Sequence, residues 1–145
     1  MIEIINETKN YKINNSAIKK IVQDILNKEK AENQDVTIKL CTDNEIKKAH
    51  KKYFNQDTVT DVISFPMNSD GYLGDILVSL DRASAVAPEF GNNFQQEFIL
   101  YIIHGILHLL GYDDIDDKDK DIMKKKEQEY LGKINYKEGE VAREL

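Results

Sequence analysis

Apolar positions along this chain switch between a two-residue rhythm and a helical one. Ile2 and Ile4 alternate with polar neighbours and predict a short first strand. Ile18, Ile21, Val22, Ile25 and Leu26 then follow helical spacing, with Lys19, Lys20 and Asp24 outside. Asn14, Asn15 or Ser16 can cap that helix. Val36, Ile38 and Leu40 alternate with Thr37, Lys39 and Cys41, which predicts a second strand. Thr42 or Asp43 opens a helix to about Tyr53, with Glu45 in the capping-box region. Val59 to Phe65 is a β-rich run that Pro66 should stop. Asn68 to Gly71 is a turn cluster, and Leu73 to Leu80 a strand broken near its start by Gly74. Ser79 or Asp81 caps a short helix that Pro88 should kink or restart. After a turn at Gly91–Asn93, Phe94 to Leu110 forms a long apolar helix. Asp116 or Asp117 caps a last helix, Lys118 to Leu131. The charged stretch 133–145 reads as a flexible tail. Strands and helices interleave without repeat or linker, so the expectation is one α/β or α+β domain over 1–145 with one small sheet.

Composition narrows the setting. The 145 residues suffice for one hydrophobic core. Cys41 is the only cysteine, so no intrachain disulfide can form, and a reducing cytoplasm is the expected location. The start, MIEIINETKN, lacks a basic region followed by an apolar stretch and does not read as a signal peptide. Phe98 to Leu110 is too short to span a bilayer, so no membrane partner is expected. A net charge of −6 argues against a protein that coats nucleic acid non-specifically. Local basic runs remain: Lys47, Lys48, Lys51 and Lys52, and Lys118 to Lys126. Taken alone, each run reads as a solvated helix face.

The candidate chemistry lies in His104-Gly-Ile-Leu-His108-Leu-Leu-Gly-Tyr-Asp-Asp114. Histidines four apart share one helix face, and an apolar helix burying two imidazoles without partners would lose free energy. Gly111 can end the helix in the left-handed conformation and let the chain turn back. His104, His108 and Asp114 are then the candidate metal ligands, three donors with one position left for water, as in catalytic zinc sites. The spacing puts Asp114 where metzincin proteases place a third histidine, whereas Asp113 would point elsewhere and serve to orient or to turn the chain. A carboxylate ligand should make a bound water less acidic than three histidines would, and should widen tolerance to other divalent metals. Zinc proteases of the H-E-x-x-H type take their base from the residue after the first histidine. Here that residue is Gly105, which disfavours a peptidase.

The same run resembles the H-G-x-L-H-L-x-G-Y-D-H signature of the YbeY family of zinc-dependent endoribonucleases and rRNA maturation factors. Thr60-Asp-Val-Ile-Ser-Phe-Pro66 is similar to the family's T-D-V-L-S-F-P. Leu73-Gly-Asp-Ile76 is similar to its L-G-D-I, and Met123 and Glu127 match its C-terminal helix. The resemblance covers about Asn44 to Leu131. It implies an α+β fold with a small mixed sheet packed with helices, and one Zn²⁺ on a central helix and the turn after it. It also implies cleavage of single-stranded RNA during small-subunit rRNA processing, with rRNA and the small ribosomal subunit as partners and no DNA.

Two departures bear on the chemistry. Asp114 stands where the family has its third histidine. Phe54 stands where the family has an arginine, within Tyr53-Phe-Asn-Gln-Asp57. Phenylalanine cannot bind phosphate or offset charge on a phosphorane, so Lys51, Lys52 or Arg82 would have to supply the cation. Phe54 could instead stack on a base, although a core or lid role is more ordinary. RNA would approach along Lys47, Lys48, Lys51 and Lys52. Asp61 and Asp75 match family motifs, and supporting the site or closing a turn are equally open to them. His50 reads as an exposed helix residue. Ser64 lacks an evident base and is not a nucleophile candidate. The rival readings are a non-catalytic ribosome-assembly factor with a zinc site, favoured by the missing arginine, and, further off, a metallopeptidase.

Overall fold

Helix α4, Phe94–Leu109, is the element around which the others are laid. Asn93 and Gln96 close a reciprocal capping box at its start. Its apolar residues, including Phe98, Ile102, Ile103 and Ile106, are buried on nearly all sides, as a helix sandwiched inside a domain requires. A computed structural model describes all residues, 1–145. Before α4 come β1 Ile2–Asn6, β2 Tyr11–Ile13, α1 Asn15–Lys28, β3 Asp35–Cys41, α2 Asp43–Phe54, β4 Val62–Ser69, β5 Tyr72–Ser79, α3 Leu80–Val86 and a 3₁₀ turn at Ala87–Phe90. After it come α5 Asp117–Lys133 and β6 Ala142–Glu144.

The main sheet has the order β1-β3-β5-β4. β1 and β5 lie parallel to β3, and β4 runs antiparallel to β5. The α+β expectation with a small mixed sheet therefore holds. Asn14, Thr42, Ser79 and Asp116 each accept a backbone N–H at the start of α1, α2, α3 and α5, all within the predicted capping sets.

Three expectations need correction. Pro66 does not stop its strand, because β4 is the edge of the sheet, where a missing N–H costs no ladder bond on the open side. Gly74 does not break β5. It lets the strands approach where a Cβ would lie 2.4 Å from the Phe65 carbonyl oxygen. The stretch 133–145 is not a loose tail. β6 pairs antiparallel with β2, and Val141 and Ala142 are buried. Buried Gln95 of α4 holds this end: its side-chain oxygen accepts the N–H groups of Val141 at 2.7 Å and Ala142 at 3.1 Å. Strands of three residues carry too little periodicity to be read from sequence.

The feature that positions the site is the contact of α4 with the sheet at Gly105. A Cβ there would sit 2.8 Å from Ile76 Cγ2 and 3.1 Å from Val62 Cγ2. Gly105→Val should therefore overpack β4 and β5 and lower stability by about 1–3 kcal/mol. Thermal denaturation of the metal-free variant checks this. Gly105→Ala is a weaker probe, because better helix propensity offsets about 1 kcal/mol of the clash.

Candidate metal centre

His104 and His108 emerge from α4 on the side where β4 ends the sheet. Gly111, at φ +103°, then turns the chain. Its N–H reaches the His108 carbonyl at 3.1 Å, and the Tyr112 N–H reaches the Leu107 carbonyl at 3.0 Å. This paired pattern is a Schellman motif, and it satisfies the last carbonyls of the helix. The returning chain brings Asp114 beside both rings. His104 Nε2 and His108 Nε2 are 3.1 Å apart. Each lies 3.7 Å from a different carboxylate oxygen of Asp114. Donors about 2.0–2.1 Å from a tetrahedral ion stand roughly 3.3 Å from one another. The observed triangle is close to that, so these three residues could hold a divalent metal. A cleft of about 320 Å³ opens from them, lined also by His50, Phe54, Asp61 and Ser64.

The two rings differ electrostatically. Burial opposes charge on His104, but the Glu127 carboxylate, 2.5 Å from Nδ1, overrides it and raises the pKa above the ordinary histidine value. Burial and then the neighbouring His104 depress the pKa of His108. Glu127 thus turns Nδ1 of His104 away from the triangle and leaves Nε2 as its donor. A carboxylate behind a ligating histidine is the usual means of orienting the ring. Glu127 lies on α5 in an inward stripe with Met123 and Tyr130, and its side chain is 13% exposed. Sequence reasoning matched it to a family pattern without assigning this contact. The signal was an acidic residue at helical spacing between two buried neighbours.

The turn and α5 are tied together from behind by Glu29, which follows α1. Its carboxylate accepts hydrogen bonds from Tyr112 at 2.6 Å and Tyr130 at 2.5 Å, and Lys126 lies 3.3 Å away. No sequence pattern announced this contact, since its partners are about 80 to 100 positions distant in the chain.

The remaining predicted residues divide. Asp61 borders both cavities that reach His104, but its carboxylate is occupied by the Val62 N–H at 2.7 Å. Asp113 accepts the Ile115 N–H at 3.4 Å, a turn contact. Asp75 takes the hydrogen-bonding role of its two open alternatives. Strand alternation turns it away from neighbouring Ile76, which faces α4, and its carboxylate accepts the Tyr72 hydroxyl instead. Ser64 donates to the Gly105 carbonyl at 3.0 Å.

Of the proposed cations, Arg82 alone shares a cavity with His104, a space of about 740 Å³ that also holds Asp61, Glu97, Tyr101 and Glu127. Its Nη2 lies 3.6 Å from Asp43, and its buried Nε has no hydrogen-bond partner. Lys51 and Lys52 border neither cavity. Lys48 and Lys52 line a separate groove between α2 and the sheet. Lys47 lies 4.0 Å from Asp57.

A histidine pair and a carboxylate gathered where a buried helix turns back over a mixed sheet could hold a metal in the manner of open hydrolytic sites. The comparisons make this specific. The family profile described as "Endoribonuclease YbeY" matches residues 3–135, so the chain belongs to the YbeY family. An endoribonuclease YbeY of Finegoldia magna is 34% identical over 97% of this chain and 98% of its own length. One from Fusobacterium nucleatum is 38% identical over 84% and 82%. The solution structure of TM1509 from Thermotoga maritima is 33% identical, with a TM-score of 0.67 over 90% of this chain and 87% of that one. The family is one of hydrolytic enzymes, named for cutting within RNA. No helix of this chain is long and apolar enough to cross a membrane.

Two outcomes follow. Glu127→Gln should leave the fold intact but weaken divalent-metal affinity about 10–100-fold, measured by chelator competition. Burial alone would raise the Glu29 pKa, but its three partners outweigh burial and lower it. Its contribution is therefore present above the unfolded glutamate value of about 4.3 and fades as pH falls through the lower folded value. The stability gap between the wild type and Glu29→Gln, from urea titrations, should be widest near neutrality and close on the acid side.

Proposed function

We propose that this chain is a zinc-dependent, single-strand-specific endoribonuclease acting in small-subunit rRNA maturation in the cytoplasm, with His104, His108 and Asp114 as metal ligands. The observation that carries the reading is the His104–His108–Asp114 triangle, facing a cleft, in a chain whose named relatives are endoribonucleases. When bound, the metal would supply Lewis-acid activation of a water and of a phosphate oxygen. The protein's part is positioning and charge. Glu127 fixes the His104 ring, and Asp114 offsets positive charge at the centre. Arg82 approaches from the adjoining cavity and is the candidate to hold a substrate phosphate in place of the family arginine. Lys47, Lys48, Lys51 and Lys52 are the candidate contacts to the rest of the RNA backbone. Gly105 offers no base and presses on Ile76, so it leaves no room for the glutamate of a peptidase.

Phe54 favours a second reading, an assembly factor that binds rRNA or the small subunit without cutting. One experiment separates the two. Purified protein reconstituted with zinc should cleave a single-stranded model RNA, and His108→Ala should lose zinc and cleavage together. Asp114→His should keep both, because it restores a nitrogen donor at the same turn. Cleavage that persists in metal-free protein would overturn the mechanism. Zinc-loaded protein that binds ribosomal subunits yet never cuts RNA would establish the assembly reading instead.

A further inference from the structure

The second half of α2 carries exposed rings beside lysines that make no ion pair. Tyr53 is 59% exposed and Phe54 48%. Tyr53 meets Phe65 of β4 edge-on at 5.2 Å between ring centroids, and Phe54 lies 6.0 Å from the same ring. Lys52 Nζ stands 5.2 Å over the Tyr53 ring. Tyr53, Phe65 and Met67 line a groove of about 740 Å³ between α2 and the sheet, on the side away from α4, where Lys39, Lys48 and Lys52 outnumber Glu45 and Asp75. Phe54 is the connection, since it packs on Phe65 and also lines the cleft that holds His104, His108 and Asp114.

We propose that this groove docks single-stranded RNA, with Tyr53 and Phe54 stacking unpaired bases and Lys48 and Lys52 holding phosphates, so that the strand passes over Phe54 into the metal cleft. The inference rests on the endoribonuclease reading for its ligand and adds a surface to it.

Charge selects the occupant. The chain as a whole is at −6, yet Lys47, Lys48, Lys51 and Lys52 follow one another on α2 with no acid among them. A local positive strip on an acidic protein draws a polyanion to that strip and repels it elsewhere. The exposed rings then select among polyanions. A duplex keeps its bases stacked inside, whereas unpaired bases offer flat faces to aromatic side chains. Phe54 offers a ring face and no charge. That shifts the work of holding a phosphate to Lys48, Lys52 and Arg82.

The test is fluorescence anisotropy of a labelled single-stranded RNA 12-mer with metal-free full-length protein at fixed salt, so that no cleavage interferes. Phe54→Leu and Tyr53→Leu keep apolar bulk but lose the ring face, and each should weaken binding about tenfold. Phe54→Trp should retain wild-type affinity. Lys48→Ala with Lys52→Ala should make the salt dependence shallower, by about 1.4 in the log–log slope. A hairpin duplex of the same composition should bind more weakly than the single strand. Affinities within twofold of wild type for both Leu variants would overturn the proposal, as would equal binding of duplex. Displacement of the RNA by a poly-glutamate peptide at matching concentration would overturn it in favour of an acidic protein partner. Binding with the expected variant pattern but no cleavage on adding zinc would sink the nuclease reading alone. Cleavage with unaltered binding in the Leu variants would sink the groove alone.

Discussion

The constraint on which the site depends is the absence of a side chain at Gly105. Without one, α4 settles onto Ile76 and Val62 closely enough for the Ser64 hydroxyl of the edge strand to reach the helix backbone. His104 is the next residue back, so its ring emerges beside the sheet edge, and His108 follows one turn on. The sheet contributes by stopping at β4, which leaves these rings facing a cleft. A residue of any size at 105 would lift the helix and move both rings together. The same glycine that removes a protease-type base is thus the reason the histidines stand where they do.

The two rings make a case for a cation on physical grounds. Their Nε2 atoms face each other at 3.1 Å, and Asp114 spans both. Glu127 pulls His104 towards the charged form, while burial and His104 itself push His108 towards the neutral one. A helix interior has cheaper ways to pack two histidines than to aim them at one point between carboxylates. One divalent ion would satisfy all three donors at once and would leave Glu127 to orient the ring from behind. Glu29 then has a clear place in the design. By holding Tyr112 and Tyr130 it fixes the turn that carries Asp114 against the helix that carries Glu127.

Much of this was readable from the chain because it is local. Helical spacing, capping residues and Gly111 act within a few positions, and they placed the four main helices and the His–His–Asp triangle. What was not readable depends on partners far away in sequence. Pro66 looked like a stop because nothing local says that β4 is an edge strand. The end of the chain looked loose because its anchor is Gln95, inside another helix. Asp75 and Asp61 carry the same kind of motif match, yet strand alternation sends Asp75 to the far face, while Asp61 sits just before β4 at the cleft. Glu127 was visible as a motif position, but its role needed the packing of α5 on α4.

The distribution of charge explains how an acidic chain can belong to a family that acts on RNA. Carboxylates at Asp61, Asp114 and Glu127 surround the histidines, and without a cation they would repel a phosphodiester. A bound divalent metal would offset two of those three charges at that one point and nowhere else. Away from it, attraction must come from side chains. Phe54, which borders the cleft, carries no charge. Arg82 lines the cavity that it shares with His104, and Lys48 and Lys52 line the groove between α2 and the sheet. Phe54 joins the two, since it packs on Phe65 of that groove and lines the cleft of the triangle.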